Sequence, residues 1–304
     1  MQPDWIAVDW GTSRLRAWAM GPEGPLAQAA SDKGMNGLAP EAFEPALLEL
    51  VAPWLAPDRR MPVLACGMVG AKQGWIEAPY QSVPCPPADP GGAVTAPTRD
   101  PRLEVRILPG LCQNGPADVM RGEETQIAGL LAQNPGFAGQ VCLPGTHTKW
   151  VTVSDGRVTG FRTVMTGELF ALLSTQSVLR HSLGGAGWDA EAFHAALDEA
   201  RAQPADLTAA LFSVRAEALL AGLSPAQARA RLSGLLIGAE LAGAAAATPG
   251  TPGHALAIIG ATEGAAPYLD ALRHCGHDPL VLDTETATLA GLTAARAALK
   301  ETSP

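Results

Sequence analysis

Two kinds of spacing between apolar residues recur along the first 132 positions, and each predicts a different element. Short apolar runs bounded by polar turns predict strands at 5–8, 14–20, 62–66 and 103–108. Apolar residues three or four positions apart predict helices at 40–55 and 118–132. The first two strands flank a polar glycine turn, so they are expected to form a hairpin whose tip presents backbone N–H groups.

The same strand–glycine turn–strand pattern occurs again after a break at Asn134-Pro135-Gly136. Further strands are predicted at 139–143, 150–153, 158–164, 255–259 and 280–282. Further helices are predicted at 167–179, 189–201, 206–221, 225–247, 265–274 and 287–299. Two halves that open alike indicate a pseudo-duplicated α/β protein, with one domain at 1–136 and a second at 137–304.

Composition and charge narrow the classes of partner. The chain has 304 residues, of which 47% are hydrophobic and 17% charged, so a large buried core is expected. Its formal net charge of −9 argues against a nucleic-acid partner, which needs a basic face. Five cysteines without metal-ligand spacing are typical of reduced thiols. Neither a signal peptide nor a membrane span is recognised, so a cytoplasmic protein that acts on small molecules is expected, with a homodimer left open.

The first candidate for chemistry is Asp9-Trp10-Gly11-Thr12-Ser13-Arg14, at the end of the first predicted strand. Phosphate groups need backbone donors that approach closely, and a glycine turn with neighbouring hydroxyls provides them. Gly11, Thr12 and Ser13 are therefore candidate phosphate-binding residues. Asp9 is a candidate catalytic residue and a candidate ligand of hydrated Mg²⁺. The alternative is an ordinary hairpin turn.

The turn of the second hairpin, within Leu143-Pro144-Gly145-Thr146-His147-Thr148-Lys149-Trp150, has the same design. Its candidate phosphate-binding residues are Gly145, Thr146, His147 and Thr148. Lys149 adds a positive charge for a phosphate or a substrate carboxylate. A histidine that stands alone is more often structural, but this one lies between two threonines in a glycine turn.

A third glycine turn, Gly260-Ala261-Thr262, ends the predicted strand at 255–259. Glycine at a strand end allows a nucleotide base or ribose to lie against the backbone, so these three residues are candidate adenosine contacts. The G-x-G-x-x-G fingerprint is absent, which disfavours a dinucleotide oxidoreductase. The P-loop motif is absent as well, so ATP is expected to bind in a cradle of two hairpins.

A dense polar run from Gly110 to Gln126 contains groups suited to phosphoryl transfer. Asp118, Glu123 or Glu124 can accept the proton of a hydroxyl, and Asp118 is the candidate catalytic residue among them. Arg121 can pair with a carboxylate or phosphate through two hydrogen bonds. The alternative is that Asp118 caps the predicted helix and that the glutamates favour its N-terminal dipole.

Two further segments offer candidate substrate contacts. Lys72, Gln73 and Trp75 bring a charge, an amide and an aromatic face, which are the groups that hold sugars. The alternative for Trp75 is a place in the core. Thr166 and Glu168 lie at the start of a predicted helix, whose N-terminal N–H groups form a candidate anion site.

These blocks together resemble the 2-dehydro-3-deoxygalactonokinase family of the actin/hexokinase/Hsp70 superfamily. The resemblance is carried by 5–13, 67–80, 109–126, 143–150 and 163–172, with a weaker match at 255–267. It implies two ribonuclease-H-like domains with a cleft between them. It also implies ATP, Mg²⁺ and transfer of a phosphoryl group to the terminal hydroxyl of 2-dehydro-3-deoxy-D-galactonate. Lys72, Arg121 or Lys149 would then recognise the substrate carboxylate.

The sequence differs from the superfamily pattern at Pro144, where many relatives carry an aspartate in the second phosphate loop. Asp9 and Asp118 therefore share the candidacy for the catalytic carboxylate. The alternative functions are a kinase of the same fold for another sugar acid or sugar, and a nucleotide-binding regulator. A regulator would be expected to carry a peptide-binding or DNA-binding segment, and none is recognised.

Overall fold

A computed structural model describes residues 2–247 and 255–302, which divide into two compact units. The first unit comprises the residues up to Phe137, Val153–Gly160 and the residues from Thr284 onward. The second comprises Ala138–Thr152 and Phe161–Asp283. The long segment of the first unit ends at Phe137, next to the break predicted at 134–136. The segment from Thr284 onward also belongs to the first unit, whereas the sequence prediction assigned 137–304 to one domain.

The described residues form fourteen strands and eight helices. The strands are β1 (Trp5–Trp10), β2 (Leu15–Gly21), β3 (Gly24–Ser31), β4 (Met61–Gly67), β5 (Gln81–Ser82), β6 (Val94–Thr95), β7 (Leu103–Ile107), β8 (Leu111–Asn114), β9 (Ala117–Met120), β10 (Gly139–Leu143), β11 (Thr148–Ser154), β12 (Arg157–Val164), β13 (Ala255–Ile259) and β14 (Leu280–Leu282). The helices are α1 (Phe43–Val51), α2 (Glu123–Gln133), α3 (Thr166–Thr175), α4 (Ala190–Ala202), α5 (Leu207–Leu220), α6 (Pro225–Ala247), α7 (Thr262–His274) and α8 (Thr284–Thr302). None of the helices in the described ranges is long and apolar enough to cross a membrane.

The first unit is built on a sheet with the strand order β3-β2-β1-β4-β7-β6. The central strand β1 pairs antiparallel with β2 and parallel with β4. Successive side chains of a strand point to opposite faces. Ile6, Val8 and Trp10 accordingly join the core that contains α1, whereas Trp5 and Ala7 join the core that contains α8. β1 therefore contributes side chains to a core on each face of the sheet, which explains its almost continuous apolar sequence.

The second unit is built on a sheet with the strand order β12-β11-β10-β13-β14. This order repeats that of β3-β2-β1-β4-β7 in the first unit. In each sheet the first strand along the chain is central, with the second and third strands on one side of it and later strands on the other. In both sheets the central strand pairs parallel with the strand that follows it in the order. The repeated order confirms the predicted pseudo-duplicated α/β fold of the ribonuclease-H-like, actin/hexokinase type.

Helix α8 belongs to the first unit because it packs against α2 at backbone distance. A Cβ atom on Gly129 of α2 would lie 1.8 Å from the carbonyl oxygen of Ala287. A Cβ atom on Gly291 of α8 would lie 1.9 Å from the carbonyl oxygen of Thr125. Only glycine permits this approach at both positions. Nothing in the apolar spacing of α8 identifies the helix against which it packs.

The helix predicted at 118–132 begins later than expected. Residues Ala117–Met120 form strand β9, which pairs with β8 in a three-stranded sheet with β5. Gly122 has φ +106°, a left-handed conformation that separates this strand from α2. Asp118 therefore does not cap a helix, and that part of the alternative is wrong, whereas Glu123 and Glu124 do lie in the first turn of α2, where they favour its dipole. The helical spacing of later residues had concealed a short, largely exposed strand.

Candidate active site

Asp9 lies at the carboxyl end of β1, on the face that α8 covers. It is in register with Arg16 on β2 and with Cys66 on β4. The Arg16 guanidinium forms an ion pair with Asp9 Oδ2 and lies 3.6 Å from Glu285 of α8. Asp9 Oδ1 is 4.0 Å from the Cys66 thiol. Burial raises the pKa of Asp9 above its usual value, and the ion pair with Arg16 opposes that rise.

The turn at residues 11–13, called the first loop, is held from behind by the segment 34–36. The Met35 and Asn36 backbone N–H groups donate to the carbonyl oxygens of Gly11 and Thr12, at 3.0 and 2.9 Å. A Cβ atom on Gly34 would lie 2.3 Å from the Thr12 carbonyl oxygen. Thr12 and Ser13 remain exposed. The loop thus has a fixed backbone and exposed hydroxyl residues, as a phosphate-binding turn requires.

The N-terminus of α2 reaches the ends of β1 and β4. Gly67, with φ +92°, has no room for a Cβ atom, which would lie 2.7 Å from the Trp10 carbonyl oxygen and 3.4 Å from Asp9 Oδ1. A Cβ atom on Gly122 would lie 3.5 Å from the Cα of Gly67. The helix dipole of α2 therefore starts beside the candidate phosphate and metal groups of the first unit.

The two glutamates that begin α2 have different environments. Glu124 is fully buried and accepts hydrogen bonds from the Gly122 N–H at 2.6 Å and the Thr125 hydroxyl at 3.0 Å. Burial, with a smaller contribution from Glu123, raises the pKa of Glu124 to about 7. Glu123 is half-buried, and its carboxylate accepts the Arg121 N–H at 3.1 Å. Of the two glutamates, only Glu123 therefore has a side chain that is partly exposed.

Arg121 is a buried cation whose hydrogen-bonding capacity is only partly used. It is 9% exposed, its Nη2 donates to the Ala78 carbonyl oxygen at 2.7 Å, and its guanidinium lies 4.4 Å from the ring centre of Tyr80. Within the described residues, Nε and Nη1 have no hydrogen-bond partner. A buried guanidinium with unpaired N–H groups is costly, and a bound anion would remove that cost.

The other predicted contacts of the first unit lie in the core, on an exposed turn and on β9. Trp75 is buried, with its ring 6.3 Å from both Trp10 and Phe43, so it occupies the core. Lys72 and Gln73 are exposed on the turn that precedes it. The Asp118 carboxylate on β9 accepts the backbone N–H of the next residue at 2.8 Å.

The turn at residues 145–147, called the second loop, is clamped against the start of α3. The Glu168 N–H donates to the Thr146 carbonyl oxygen at 2.9 Å. The Glu168 carboxylate also lies 2.5 Å from His147 Nε2. Gly145, Thr146 and His147 are exposed, whereas Thr148 and Lys149 are buried. The predicted role of Thr148 as a phosphate contact is therefore not supported, since its hydroxyl is within 2.8 Å of the Tyr268 hydroxyl.

A pocket of about 470 Å³, called the large pocket, opens beside the second loop. Its walls come from the second loop, α3, α6 and α7. Its lining includes Gly145, Thr146, Thr166, Gly167, Phe170, Trp188, Arg229, Ser233, Gly264, Pro267 and Tyr268. Gly260 and Ala261 immediately precede α7, and a Cβ atom on Gly260 would lie 3.7 Å from Pro144. The side chain of Thr262 lies outside the described residues.

Sequence reasoning missed several residues of these sites. Phe170, Trp188 and Arg229 line the large pocket, but in the sequence they resemble ordinary helix and loop positions. The segment 34–36 that supports the first loop begins with Gly34 and is followed by Gly37, and this glycine spacing was its signal in the sequence.

The chain is similar to several known proteins. The sequence profile described as 2-keto-3-deoxy-galactonokinase matches residues 9–295. A probable 2-dehydro-3-deoxygalactonokinase of Rhizobium meliloti is 42% identical over 301 residues, which cover 97% of each chain. A 2-dehydro-3-deoxygalactonokinase of Escherichia coli is 38% identical and covers 96% of this chain and 97% of its own. A crystal structure from Sinorhizobium meliloti, described as a 2-dehydro-3-deoxygalactonokinase, has a TM-score of 0.91 and 41% identity, covering 97% of this chain and 99% of that one.

Proposed function

The chain belongs to the 2-keto-3-deoxy-galactonokinase family, and from this premise we propose that it transfers the γ-phosphoryl group of ATP to the terminal hydroxyl of 2-dehydro-3-deoxy-D-galactonate. As a member of that family it is a sugar kinase, a phosphotransferase to an alcohol group. The observation that carries the proposal is the match of nearly the whole chain to relatives of that name, at 42% and 38% identity. The product is the 6-phosphate of the sugar acid.

The large pocket is the proposed site of the adenosine. A volume of about 470 Å³ suits a nucleoside, and Phe170 and Trp188 offer aromatic faces to the base. Gly260 and Ala261 immediately precede α7, whose Gly264 lines the pocket, and they stay predicted contacts of the adenosine. Gly145 and Thr146 line the same pocket, so the phosphates of a bound nucleotide would meet the N–H groups of the second loop.

The first loop and Asp9 are the proposed partners of the terminal phosphates and of Mg²⁺. No cluster of three or more acidic, histidine or cysteine side chains suited to a metal occurs among the described residues. Mg²⁺ takes most of its ligands from phosphates and water, so a single carboxylate such as that of Asp9 can suffice to hold it beside a bound nucleotide. Asp9 would hold the ion, with its Oδ1 rather than the oxygen paired with Arg16. When bound, Mg²⁺ neutralises charge on the β- and γ-phosphates.

Arg121 is the proposed anchor of the substrate carboxylate. Of the three cations predicted for this role, Lys72 is exposed on a turn, whereas Lys149 and Arg121 are both buried. Arg121 is the one with two buried N–H groups that lack a partner in the described chain. Its planar guanidinium can bind both oxygens of a carboxylate at once. Tyr80, on which it stacks, is 40% exposed and marks the direction from which a ligand would approach.

The proposed chemistry depends on positioning rather than on covalent catalysis. In-line phosphoryl transfer needs the two loops to hold the nucleotide, and a carboxylate to orient the substrate hydroxyl and accept its proton. Asp118 and Glu123 are both proposed for that carboxylate, since neither side chain is buried. Asp9 is not proposed for this proton transfer, because its carboxylate is paired with Arg16, and its proposed role stays with the phosphates and Mg²⁺.

The proposed location is the cytoplasm. All five cysteines are free thiols, as is usual in a reducing compartment. The homodimer that the sequence left open stays a prediction, and light scattering of the purified protein decides it.

An ADP-release assay with Mg·ATP tests the function against a panel of acceptors. The panel contains 2-dehydro-3-deoxygalactonate, its gluconate epimer and neutral hexoses. Turnover with the galactonate compound alone is expected. Turnover with the epimer or a hexose instead would retain the kinase and reject the substrate. ATP binding without turnover of any acceptor would favour a nucleotide-binding regulator.

A further inference from the structure

A buried carboxylate in the second unit lies at the centre of a hydrogen-bond network. Glu240 of α6 is 6% exposed. Its Oε1 accepts the indole N–H of Trp150 at 2.7 Å, and its Oε2 accepts the hydroxyl of Tyr268 at 2.7 Å. The hydroxyl of Thr166 donates to the same carboxylate. Three donors from three different elements thus converge on one side chain.

The network continues to the strand that follows the second loop. Tyr268 has a single hydroxyl proton, which it donates to Glu240. The Thr148 hydroxyl, 2.8 Å from the Tyr268 oxygen, must therefore donate its own proton to Tyr268. Thr148 is the first residue of β11 and directly follows the second loop. Glu240 is connected to that loop through Tyr268.

A second connection runs through the start of α3. Thr166 is the first residue of this helix, and the next two residues hold the second loop. A Cβ atom on Gly167 would lie 2.2 Å from the Gly145 carbonyl oxygen, and the Glu168 N–H binds the Thr146 carbonyl oxygen. Glu240 therefore holds the element that clamps the loop from the other side.

Two of the three donors line the large pocket, and the third does not. Tyr268 and Thr166 form part of its wall. Trp150 and Glu240 itself instead line a separate cavity of about 170 Å³. The carboxylate therefore acts from behind the wall, without access to a ligand in the large pocket.

We propose that Glu240 is a positioning residue of the nucleotide site, which fixes the second loop relative to α3 and α7 through Thr166 and the Tyr268–Thr148 pair. The inference rests on the proposed function, since it takes the large pocket as the ATP site. The carboxylate only accepts hydrogen bonds, so it satisfies all three donors at once. Glutamine would keep one accepting oxygen and turn an N–H₂ group toward another partner, so the hydroxyl of Tyr268 or Thr166 would have to reverse its hydrogen bond and the connection to Thr148 would be rearranged.

The test compares three substitutions around the same carboxylate. Glu240→Gln is expected to raise KM for ATP about tenfold, equivalent to ~1.4 kcal/mol, with KM for the sugar acid within about twofold of wild type. Tyr268→Phe, which cuts the connection to Thr148, is expected to raise KM for ATP by a smaller factor. The double variant should be less impaired than the product of the two single effects, because both disrupt one connection.

Trp150→Phe is the matched control for a merely structural role. It removes a hydrogen bond to the same carboxylate at a position that does not line the large pocket. It is expected to lower the melting temperature and leave KM for ATP unchanged. Equal effects of Trp150→Phe and Tyr268→Phe on KM for ATP would overturn the proposal, as would an unchanged KM in folded Glu240→Gln.

Titration calorimetry with a non-hydrolysable ATP analogue separates this inference from the function itself. If the wild type binds the analogue but turns over no acceptor, the proposed function fails while the ranking of the variants still decides the role of Glu240. If Glu240→Gln does not fold, the comparison of Tyr268→Phe with Trp150→Phe decides it. Equal analogue affinity in those two variants would reject the positioning role.

Discussion

Replacing Gly167 by alanine should lower the activity strongly while lowering the stability of the fold only slightly. Gly167 is the second residue of α3, and an added Cβ atom would lie 2.2 Å from the Gly145 carbonyl oxygen and 3.0 Å from the Thr146 Cα. Ordinary contact requires at least 3.4 Å, so the second loop must retreat by roughly 1 Å. The atoms that would move are those proposed to hold the nucleotide phosphates.

The magnitudes favour a loss of activity over unfolding. Overpacking costs about 1–3 kcal/mol, and the better helix propensity of alanine returns up to about 1 kcal/mol. The net loss is small beside a typical unfolding free energy of about 5–15 kcal/mol, so Gly167→Ala is expected to fold. A displacement of about 1 Å in a phosphoryl-transfer site lowers the rate on the order of 100-fold.

The assay is kcat/KM for ATP from ADP release, measured beside the melting temperature. Gly264→Ala is the matched control, because Gly264 also lies in the first turn of a helix and lines the same pocket. Nothing in the described chain lies within 4 Å of its added Cβ atom. This control is expected to keep kcat/KM within about threefold and to melt no lower than the wild type. A Gly167→Ala enzyme with wild-type kcat/KM would refute the reasoning, and so would equal losses in both variants.

Four further substitutions test the first unit. Glu124→Gln should flatten the pH dependence of stability. Because the pKa of Glu124 is raised to about 7, the folded wild type binds more protons than the unfolded chain, so its unfolding free energy falls by roughly 3 kcal/mol between about pH 4.5 and 7. Urea titrations of both proteins at pH 5 and 8 would measure that difference. Gly291→Ala should lower the melting temperature by several degrees through its clash with α2, and calorimetry showing no change would contradict that packing. Arg121→Met should raise KM for the sugar acid by about tenfold to 100-fold without changing KM for ATP, and an equal effect on the methyl ester of the acid would argue against a carboxylate anchor. Asp9→Asn should lower kcat by about 100-fold or more while ATP still binds in calorimetry, and near-normal kcat would remove Asp9 from the phosphate site.

The parts of the fold that the sequence predicted are those with strong local signals. The hairpin turns after β1 and β10 combine glycine and hydroxyl residues between apolar strands, and this pattern indicated both loops and the duplication. β9 was missed because its few exposed residues carry no clear period-two pattern, so the helical spacing that follows was extended over it.

The parts of the site that the sequence did not predict depend on contacts between distant segments. Glu240 looks like a polar interruption in an alanine-rich helix, and only the packing of α6 brings Trp150 and Tyr268 to it. Trp75 shows the converse, since its aromatic face suggested a sugar contact but Trp10 and Phe43 enclose it. Residue type alone indicates what a side chain can bind, and the tertiary fold determines what it meets.

The return of α8 to the first unit has a consequence for the order in which the chain can fold during synthesis. Helix α8 is made after the whole of the second unit, yet it completes the core that contains Trp5 and Trp18. Synthesis of the second unit is therefore finished before α8 is available to cover the sheet of the first unit. Until α8 packs, one face of that sheet exposes apolar side chains. A chaperone would be needed most during this interval.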